Sequence, residues 1–228
     1  MKQIIKKIYN KLFCRKRAPI EIPIVETWTN SADYWEHRYS TGGNSGIGSY
    51  GRLAVFKADV LNQFVKENNV NSVIEWGCGD GHQLSLANYP NYIGFDVSQE
   101  AVNICNRKFA GDQHKQFVFC GDENFSFDKT ADLSISLDVI YHLIEADVYE
   151  NYMRRLFASS NKYVCIYSCN DEDKPVSAIH VKHRRFTDWI ENNVGDKWKM
   201  KSFVKNKFPY NSNEPESSWS DFYFYEAL

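Results

Sequence analysis

The sequence lacks several features that mark membrane, secreted and metal-binding proteins. It has no hydrophobic run near the roughly 20 residues that a membrane-spanning helix requires, and residues 1–13 contain neither a long apolar stretch nor a small-residue cleavage site. Its six cysteines include no CxxC pair, which favours reduced thiols in a cytoplasmic protein. Cys165 and Cys169 lie in an alternating, strand-like segment, so an iron–sulfur or zinc site is disfavoured.

An excess of basic residues is also missing. The 228 residues include 27 Lys and Arg against 29 Asp and Glu, so the net charge is −2, and we expect no nucleic-acid partner because that interaction needs a broad positive field. Residues 1–17 are the exception, with seven basic residues and no acidic one. We interpret residues 1–26 as a basic extension, either an amphipathic helix in weak contact with an anionic membrane surface or a segment packed on the domain.

Strand-like and helical segments alternate along the rest of the chain. The predicted strands are 72–76, 92–98, 116–122, 131–139, 162–169, 198–208 and 220–228. Helical spacing marks 31–40, 52–70, 98–109, 145–159 and 183–194, with a helix start at 82–89. This alternation predicts a single α/β domain in which helices cover both faces of a parallel sheet.

The segment that carries chemistry is VIEWGCGDG at residues 73–81, where a strand enters a glycine turn. Gly77 and Gly79 lack the Cβ atoms that would keep a ligand from the backbone, so the turn predicts a nucleotide cofactor. His82 stands where a dinucleotide fingerprint requires its last glycine, which disfavours NAD and FAD. Asp96 lies 19 residues after Gly77 at a strand end, where a carboxylate can accept both ribose hydroxyls.

These residues resemble the class I S-adenosylmethionine (SAM)-dependent methyltransferases. IEWGCGDG is similar to the first motif of that family and YIGFDVS to its second, and Gly121 and Asp122 follow the third strand. The resemblance implies a Rossmann-like, seven-stranded, mostly parallel sheet that ends in an antiparallel hairpin. It also implies a methyltransferase domain over residues 27–228, with a lid and helices over 27–70. The cofactor would be SAM and the product S-adenosylhomocysteine (SAH).

The same resemblance implies contacts to that cofactor. Glu75 and the glycine turn would line the methionine end, Asp96 would hold the ribose, and Asp122 with Glu123 would lie near the adenine amino group. Asp138, after the fourth strand, would face the transferable methyl group. The implied cofactor-binding residues are Glu75, Gly77, Cys78, Gly79, Gly81, Asp96, Val97, Asp122, Glu123 and Asp138.

The glycine-rich segment 42–57 and the later HVKHRRFTDWI resemble small methyltransferases of bacterial capsule and surface-polysaccharide biosynthesis. This second resemblance implies that the glycine loop folds over the site as a lid. Tyr50, Arg52 and Lys57 would then lie close to the cofactor or the acceptor. A solvated loop followed by an ordinary helix face is the alternative interpretation.

Histidines after the fourth and fifth strands are the candidate bases, since a hydroxyl acceptor must lose its proton. His142 is the first candidate, with Asp138 four residues before it, because ligands of open α/β sheets bind at the carboxyl edge. A packing or capping role for His142 is the alternative. His180 and His183 follow the fifth strand and are further catalytic candidates.

Arg184 and Arg185 continue that histidine group and favour an anionic acceptor, although a charged helix start explains them equally well. No cluster has metal-ligand spacing, so we expect no metal. We predict O-methylation of a nucleotide-linked sugar, a phosphate or a phosphoramidate in capsule or surface-glycan assembly. The alternatives are N-methylation of an amino sugar or amine, and a non-catalytic cofactor-binding partner of an assembly complex.

Overall fold

The computed structural model describes residues 29–122, 125–176 and 178–228. The predictions for the extension over 1–26 and for Glu123 concern residues outside these ranges. The helices are α1 Ser31–Ser40, α2 Gly51–Glu67, α3 Gln99–Lys108, α4 Ala146–Ala158 and α5 Phe186–Val194. The strands are β1 Val73–Trp76, β2 Tyr92–Asp96, β3 Lys115–Phe119, β4 Ala131–Leu137, β5 Ser160–Ser168, β6 Trp198–Val204 and β7 Asp221–Ala227.

The seven strands form one sheet in the order β3-β2-β1-β4-β5-β7-β6. The first five are parallel to one another, whereas β7 runs antiparallel to both β5 and β6. The predicted Rossmann-like sheet with its antiparallel C-terminal hairpin is therefore confirmed. The strand order reverses beside β1, which places the carboxyl ends of β1, β2 and β4 around one crevice.

Helices cover both faces of the sheet. On one face Leu61 and Phe64 of α2 pack in a buried apolar cluster with residues of β1, β4 and β5. On the other face Met153 and Leu156 of α4 join a second cluster with residues of the same strands. Every residue of β1 and β4 is buried, as expected for central parallel strands that are covered on both sides.

The predicted helix start at 82–89 is wrong. The chain forms only a short 3-10 turn over Leu84–Leu86 and then runs extended toward β2. Asn62 of α2 causes part of this change, because its side chain donates to the Leu86 carbonyl and accepts from the Asn88 amide. Pro90 also disfavours helical geometry at the residue before it.

The cysteines of the described ranges are buried and carry no disulfide: Cys78, Cys105, Cys120, Cys165 and Cys169. Cys165 and Cys169 lie in β5 and directly after it, as the alternating pattern predicts. Among the residues that the structure describes, no helix is both long and apolar enough to cross a membrane.

Candidate active site

A cavity of about 660 Å³ opens at the carboxyl ends of β1, β2 and β4, and α1 with the loop after it forms one wall. Eight of the predicted cofactor-binding residues line it: Glu75, Gly77, Cys78, Gly79, Asp96, Val97, Asp122 and Asp138. Gly81 is not part of the lining. The topology therefore brings the glycine turn and the carboxylates of three strand ends into one chamber.

The glycine turn is held in a conformation that side chains would disrupt. Gly77 has φ +86°, and a Cβ there would lie 2.5 Å from Val139 Cγ2. The Gly77 amide donates to the Phe95 carbonyl at 2.8 Å, which joins the turn to β2. Gly81, with φ +67°, packs against Cys105 Sγ beneath the turn. Gly77 thus keeps the floor of the cavity open, whereas Gly81 lets α3 pack closely below it.

Asp96 lies at the point where the turn and β2 meet. One carboxylate oxygen accepts from the Gly79 amide at 2.8 Å and the other from the Ser98 amide at 2.9 Å. Burial raises the pKa of Asp96 to about 6, against the lowering effect of these amides. Each oxygen can accept a further hydrogen bond, so the carboxylate suits a ligand with two adjacent hydroxyls.

Glu75 and Lys57 form a second charged group deep in the cavity. Tyr92 donates to Glu75 at 2.5 Å, and burial raises the pKa of Glu75 to about 7. Lys57 is fully buried and donates to Asp138 Oδ2 at 2.7 Å, while Ser220 donates to the other oxygen at 3.0 Å. Asp138 itself has a positive φ of +59°. The Lys57 ammonium is therefore paired with Asp138, and both Asp138 oxygens already accept hydrogen bonds, so Asp138 is not a free base.

Helix α1 is tied to the rest of the domain at its start and near its middle. At its start, Ser31 Oγ donates to Glu145 at 2.5 Å and accepts from the Ile144 amide at 3.2 Å. Farther along, Glu36 accepts from the Ser98 hydroxyl at 2.6 Å. These contacts bridge the ends of β4 and β2, so α1 crosses the carboxyl edge of the sheet.

The loop after α1 is fastened to the glycine turn through Asp80. Its carboxylate accepts from the Ser45 amide at 2.9 Å and from the Tyr50 hydroxyl at 2.8 Å. Burial alone raises the pKa of Asp80, but hydrogen bonds from Ser45, His82 and Tyr50 outweigh it and leave the pKa below its usual value. Tyr50 also stacks on His82 at 4.0 Å and does not line the cavity. Tyr50 therefore anchors the loop, and the prediction that it contacts the acceptor has no support from its position.

His142 and His180 both line the cavity and pack together with centroids 5.2 Å apart. His142 Nδ1 lies 2.8 Å from the His180 carbonyl oxygen. A carbonyl can only accept, so Nδ1 carries the proton and Nε2 keeps its lone pair. Burial lowers the pKa of His142 to about 4. Trp35 of α1 packs edge-on against the His142 ring at 4.9 Å.

The other predicted donors lie away from the cavity wall. Arg52 is engaged by Glu214 and by Glu216, whose carbonyl accepts from Arg52 Nε at 2.8 Å. Arg184 donates to the carbonyls of Leu143 and Ile144 and packs on the ring of Tyr149 at 4.4 Å. Arg184 thus holds the chain after β5 against the chain after β4, and Arg52 holds α2 against the chain between β6 and β7. Neither position supports the predicted acceptor-binding role, because neither residue lines the cavity.

His183 and Arg185 do not line the cavity either. Burial lowers the pKa of His183, and its Nδ1 atom has no hydrogen-bond partner in the described part of the chain. Arg185 is exposed directly before α5. The alternative of a charged helix start therefore describes Arg185 better than acceptor binding does.

Several residues of the cavity wall were not predicted, among them Trp35, Arg38 and Tyr39 of α1 and Tyr152 of α4. The aromatic composition of SADYWEHRYS was the available signal, because one short helix rarely carries three large aromatic rings without a surface to pack on. Across the described ranges no group of three His, Cys, Asp or Glu side chains could hold a metal ion.

Comparisons with known proteins agree with this geometry. A family model described as a methyltransferase domain matches residues 50–195. Among solved structures, the N-methyltransferase NodS from Bradyrhizobium japonicum WM9 with SAH has a TM-score of 0.66 at 12% identity, over 87% of this chain and 99% of that one. Magnesium protoporphyrin IX methyltransferase (ChlM) from Synechocystis PCC 6803 with SAH has a TM-score of 0.63 at 14% identity, over 86% and 97%. At these identities the likeness concerns the fold, and no curated protein matched the chain.

The cavity suits the cofactor that these comparisons imply. Its described wall carries six carboxylates against three Lys or Arg side chains, a balance that favours a cationic ligand. Each Asp96 oxygen can accept a further hydrogen bond, as a pair of adjacent hydroxyls would require, and Gly77 leaves the floor open beside Glu75. The cofactor is SAM. The chain belongs to the methyltransferase-domain family and is a SAM-dependent methyltransferase.

Proposed function

We propose that the protein methylates an oxygen atom of a small, anionic acceptor in bacterial capsule or surface-glycan assembly. The acceptor class comprises nucleotide-linked sugars, phosphates and phosphoramidates. The observation that carries the proposal is the His142 imidazole, which lines the cavity and keeps its Nε2 lone pair because Nδ1 donates to a carbonyl. The sequence resemblance of segments 42–57 and 180–190 to capsule methyltransferases supports the pathway.

Each group of the cavity has a distinct task in this proposal. Bound SAM supplies an electrophilic methyl group on its sulfonium. Asp96 binds the ribose hydroxyls, and Glu75 with the glycine turn binds the methionine end. Where the acceptor atom is a hydroxyl, His142 Nε2 would accept its proton as the oxygen takes the methyl group, the methyl–sulfur bond breaks and SAH leaves. Lys57 keeps Asp138 in place, so that the chain leading to His142 is fixed.

The low pKa of His142 has a direct consequence for this role. Because burial lowers the pKa to about 4, the imidazole is neutral throughout the physiological range. The imidazole is therefore unprotonated at neutral pH, and the same low pKa makes it a weaker proton acceptor than an unperturbed histidine. Asp138 opposes the shift, because its negative charge favours the imidazolium that forms during transfer.

Product analysis tests the proposal. The full-length protein is incubated with SAM and an extract of capsule precursors, and methylated products are identified by mass spectrometry. We expect one methyl group on an oxygen of a phosphate-bearing precursor, with SAH released in equal amount. Methylation on nitrogen would support the N-methyltransferase alternative instead. Tight SAH binding without any transfer would support the non-catalytic alternative.

We expect SAH affinity to be highest above pH 7 and to fall as the pH drops through 7 and 6. The pKa of Glu75 is raised to about 7 and that of Asp96 to about 6, both by burial, and only the ionised carboxylates accept hydrogen bonds fully. Each protonation can weaken binding up to about tenfold per pH unit. Calorimetric titration with SAH between pH 5 and 8 measures the effect.

The Asp96→Asn variant is the matched control for this profile, and it should bind SAH more weakly with a flatter dependence near pH 6. The folding stability of the unliganded protein changes with pH in the opposite direction to its SAH affinity. The raised pKa values mean that these two groups contribute stability at low pH, which is lost as the pH rises through about 6 and 7. A wild-type affinity that stays constant down to pH 5 would contradict the assignment of Asp96 and Glu75.

A further inference from the structure

Three cationic side chains line the described part of the cavity: Arg38, Lys57 and Arg155. Lys57 is neutralised by Asp138. Arg155 is exposed and donates to the Phe125 carbonyl at 3.4 Å. Neither Arg155 nor Arg38 forms an ion pair within the ranges that the structure describes, but Arg38 is half-buried. In a cavity rich in carboxylates, Arg38 is thus a cation without a counter-charge.

The Arg38 guanidinium is nevertheless held in place. Nε donates to the Asn44 carbonyl at 2.6 Å, and Nη1 donates to the Tyr34 hydroxyl at 3.3 Å. Its Cζ atom lies 5.6 Å from the centroid of the Trp35 ring. No bond from Nη2 to another described residue is present, and the residue beside Nη2 is Gly46, which carries no side chain. A fixed guanidinium with unused N–H groups is pre-organised to bind an oxyanion.

Arg38 also lies close to the candidate base. Burial lowers the pKa of His180, and the positive charge of Arg38 lowers it further. The same charge also contributes to the lowered pKa of His142. Arg38, His142 and His180 line the same cavity. An acceptor held at Arg38 by its anionic group can therefore present a hydroxyl to His142.

We propose that Arg38 is the residue that binds the anionic group of the acceptor, a phosphoryl oxyanion, and that it thereby selects phosphorylated acceptors over neutral ones. This inference rests on the proposed function and assigns its acceptor recognition to α1. Arg38 replaces Arg52, Arg184 and Arg185 in that role, because the guanidinium groups of Arg52 and Arg184 are engaged elsewhere and Arg185 lies outside the cavity.

Calorimetric titration of the SAH-loaded protein tests this assignment. Glucose 1-phosphate and inorganic phosphate are the probes, and glucose is the neutral control. We expect both phosphates to bind the wild-type protein and glucose to bind at least tenfold more weakly than glucose 1-phosphate. Arg38→Met should weaken the binding of both phosphates at least tenfold, because a charge-assisted, two-point contact is lost. The phosphate affinity of Arg38→Lys should lie between those of the wild type and Arg38→Met, because an ammonium supplies charge without the planar guanidinium geometry.

Two controls separate recognition from folding. SAH affinity should be unchanged in Arg38→Met and Arg38→Lys, and Arg107→Met, which removes an exposed arginine paired with Glu100, should bind both phosphates like the wild type. Equal phosphate binding by Arg38→Met and wild type overturns the inference. So does a wild-type protein that binds SAH but neither phosphate. A wild-type protein that does not bind SAH overturns the proposed function and this inference with it.

Discussion

Replacing His142 with alanine is expected to lower kcat by about 10²- to 10⁴-fold, the usual contribution of a positioned general base. The loss should appear in kcat because the imidazole acts on the acceptor proton during transfer. SAH affinity should stay near the wild-type value, since the proposed ribose and methionine contacts lie on Asp96 and Glu75. Single-turnover rates at saturating SAM, with the acceptor found by product analysis, measure the effect.

The two ring nitrogens of His142 have different roles. Only the Nδ1–H donation to the His180 carbonyl leaves Nε2 as a base. His142→Gln can keep a donor near that carbonyl but supplies no basic nitrogen, so it should be about as slow as His142→Ala. His114→Ala is the matched control, because His114 is exposed, contacts Asn91 at 3.1 Å and lies outside the cavity. Wild-type turnover in both His142 variants would show that another group takes the proton, or that none is needed.

Replacing Asp96 with alanine is expected to lower SAH affinity by about 10²- to 10⁴-fold. Two hydrogen bonds from ribose hydroxyls to a carboxylate are lost, each worth about 1.5 to 3 kcal/mol, and about 1.4 kcal/mol corresponds to a tenfold change. Asp96 also accepts the Gly79 and Ser98 amides, so its removal loosens the turn that forms the cavity floor. Calorimetric titration with SAH gives the dissociation constant directly.

Folding has to be separated from binding in this experiment. Asp96→Asn keeps the size of the side chain and one acceptor oxygen, so its affinity for SAH should fall between alanine and wild type. Asp112→Ala removes a partly exposed carboxylate that is paired with Lys115 outside the cavity lining, and it should bind SAH normally. Circular dichroism confirms that each variant keeps its sheet. If folded Asp96→Ala binds SAH like the wild type, the ribose is held elsewhere.

The sheet was predictable because its central strands are buried on both faces. VIEW of β1 is a short, mostly apolar run, and ADLSISL of β4 alternates Leu and Ile with Asp and Ser, so both strands can be recognised in the chain. The helix start at 82–89 was not predictable in the same way. Its residues have helical spacing, but Asn62 binds the backbone of residues 86 and 88, and Asn62 belongs to a helix that precedes β1 in the chain.

The cofactor half of the site was more predictable than the acceptor half. The glycine turn and Asp96 are joined by local hydrogen bonds across neighbouring strands, and their spacing in the chain reflects that geometry. Arg184 has the composition of an anion-binding residue, but its direction is set by the carbonyls of residues 143 and 144, about 40 positions away. No sequence pattern around Arg38 predicts anion binding. Arg38 lines the cavity only because its helix, α1, crosses the carboxyl edge of the sheet.

Residue order alone predicted the parallel sheet, because strand burial depends on nearby residues and on simple periodicity. The antiparallel hairpin and the identity of the cofactor were implied by the resemblance of the glycine turn and the Asp96 segment to the class I methyltransferases. Tertiary structure decided which charges are neutralised and which stay available. Lys57 is paired with Asp138 across the cavity, Tyr50 is bonded to Asp80, and Arg38 is left beside His142 and His180 without an ion-pair partner in the described chain. The physical reason is that an ionic group's role depends on which partners the fold brings within a few ångströms, and those partners are distant in sequence.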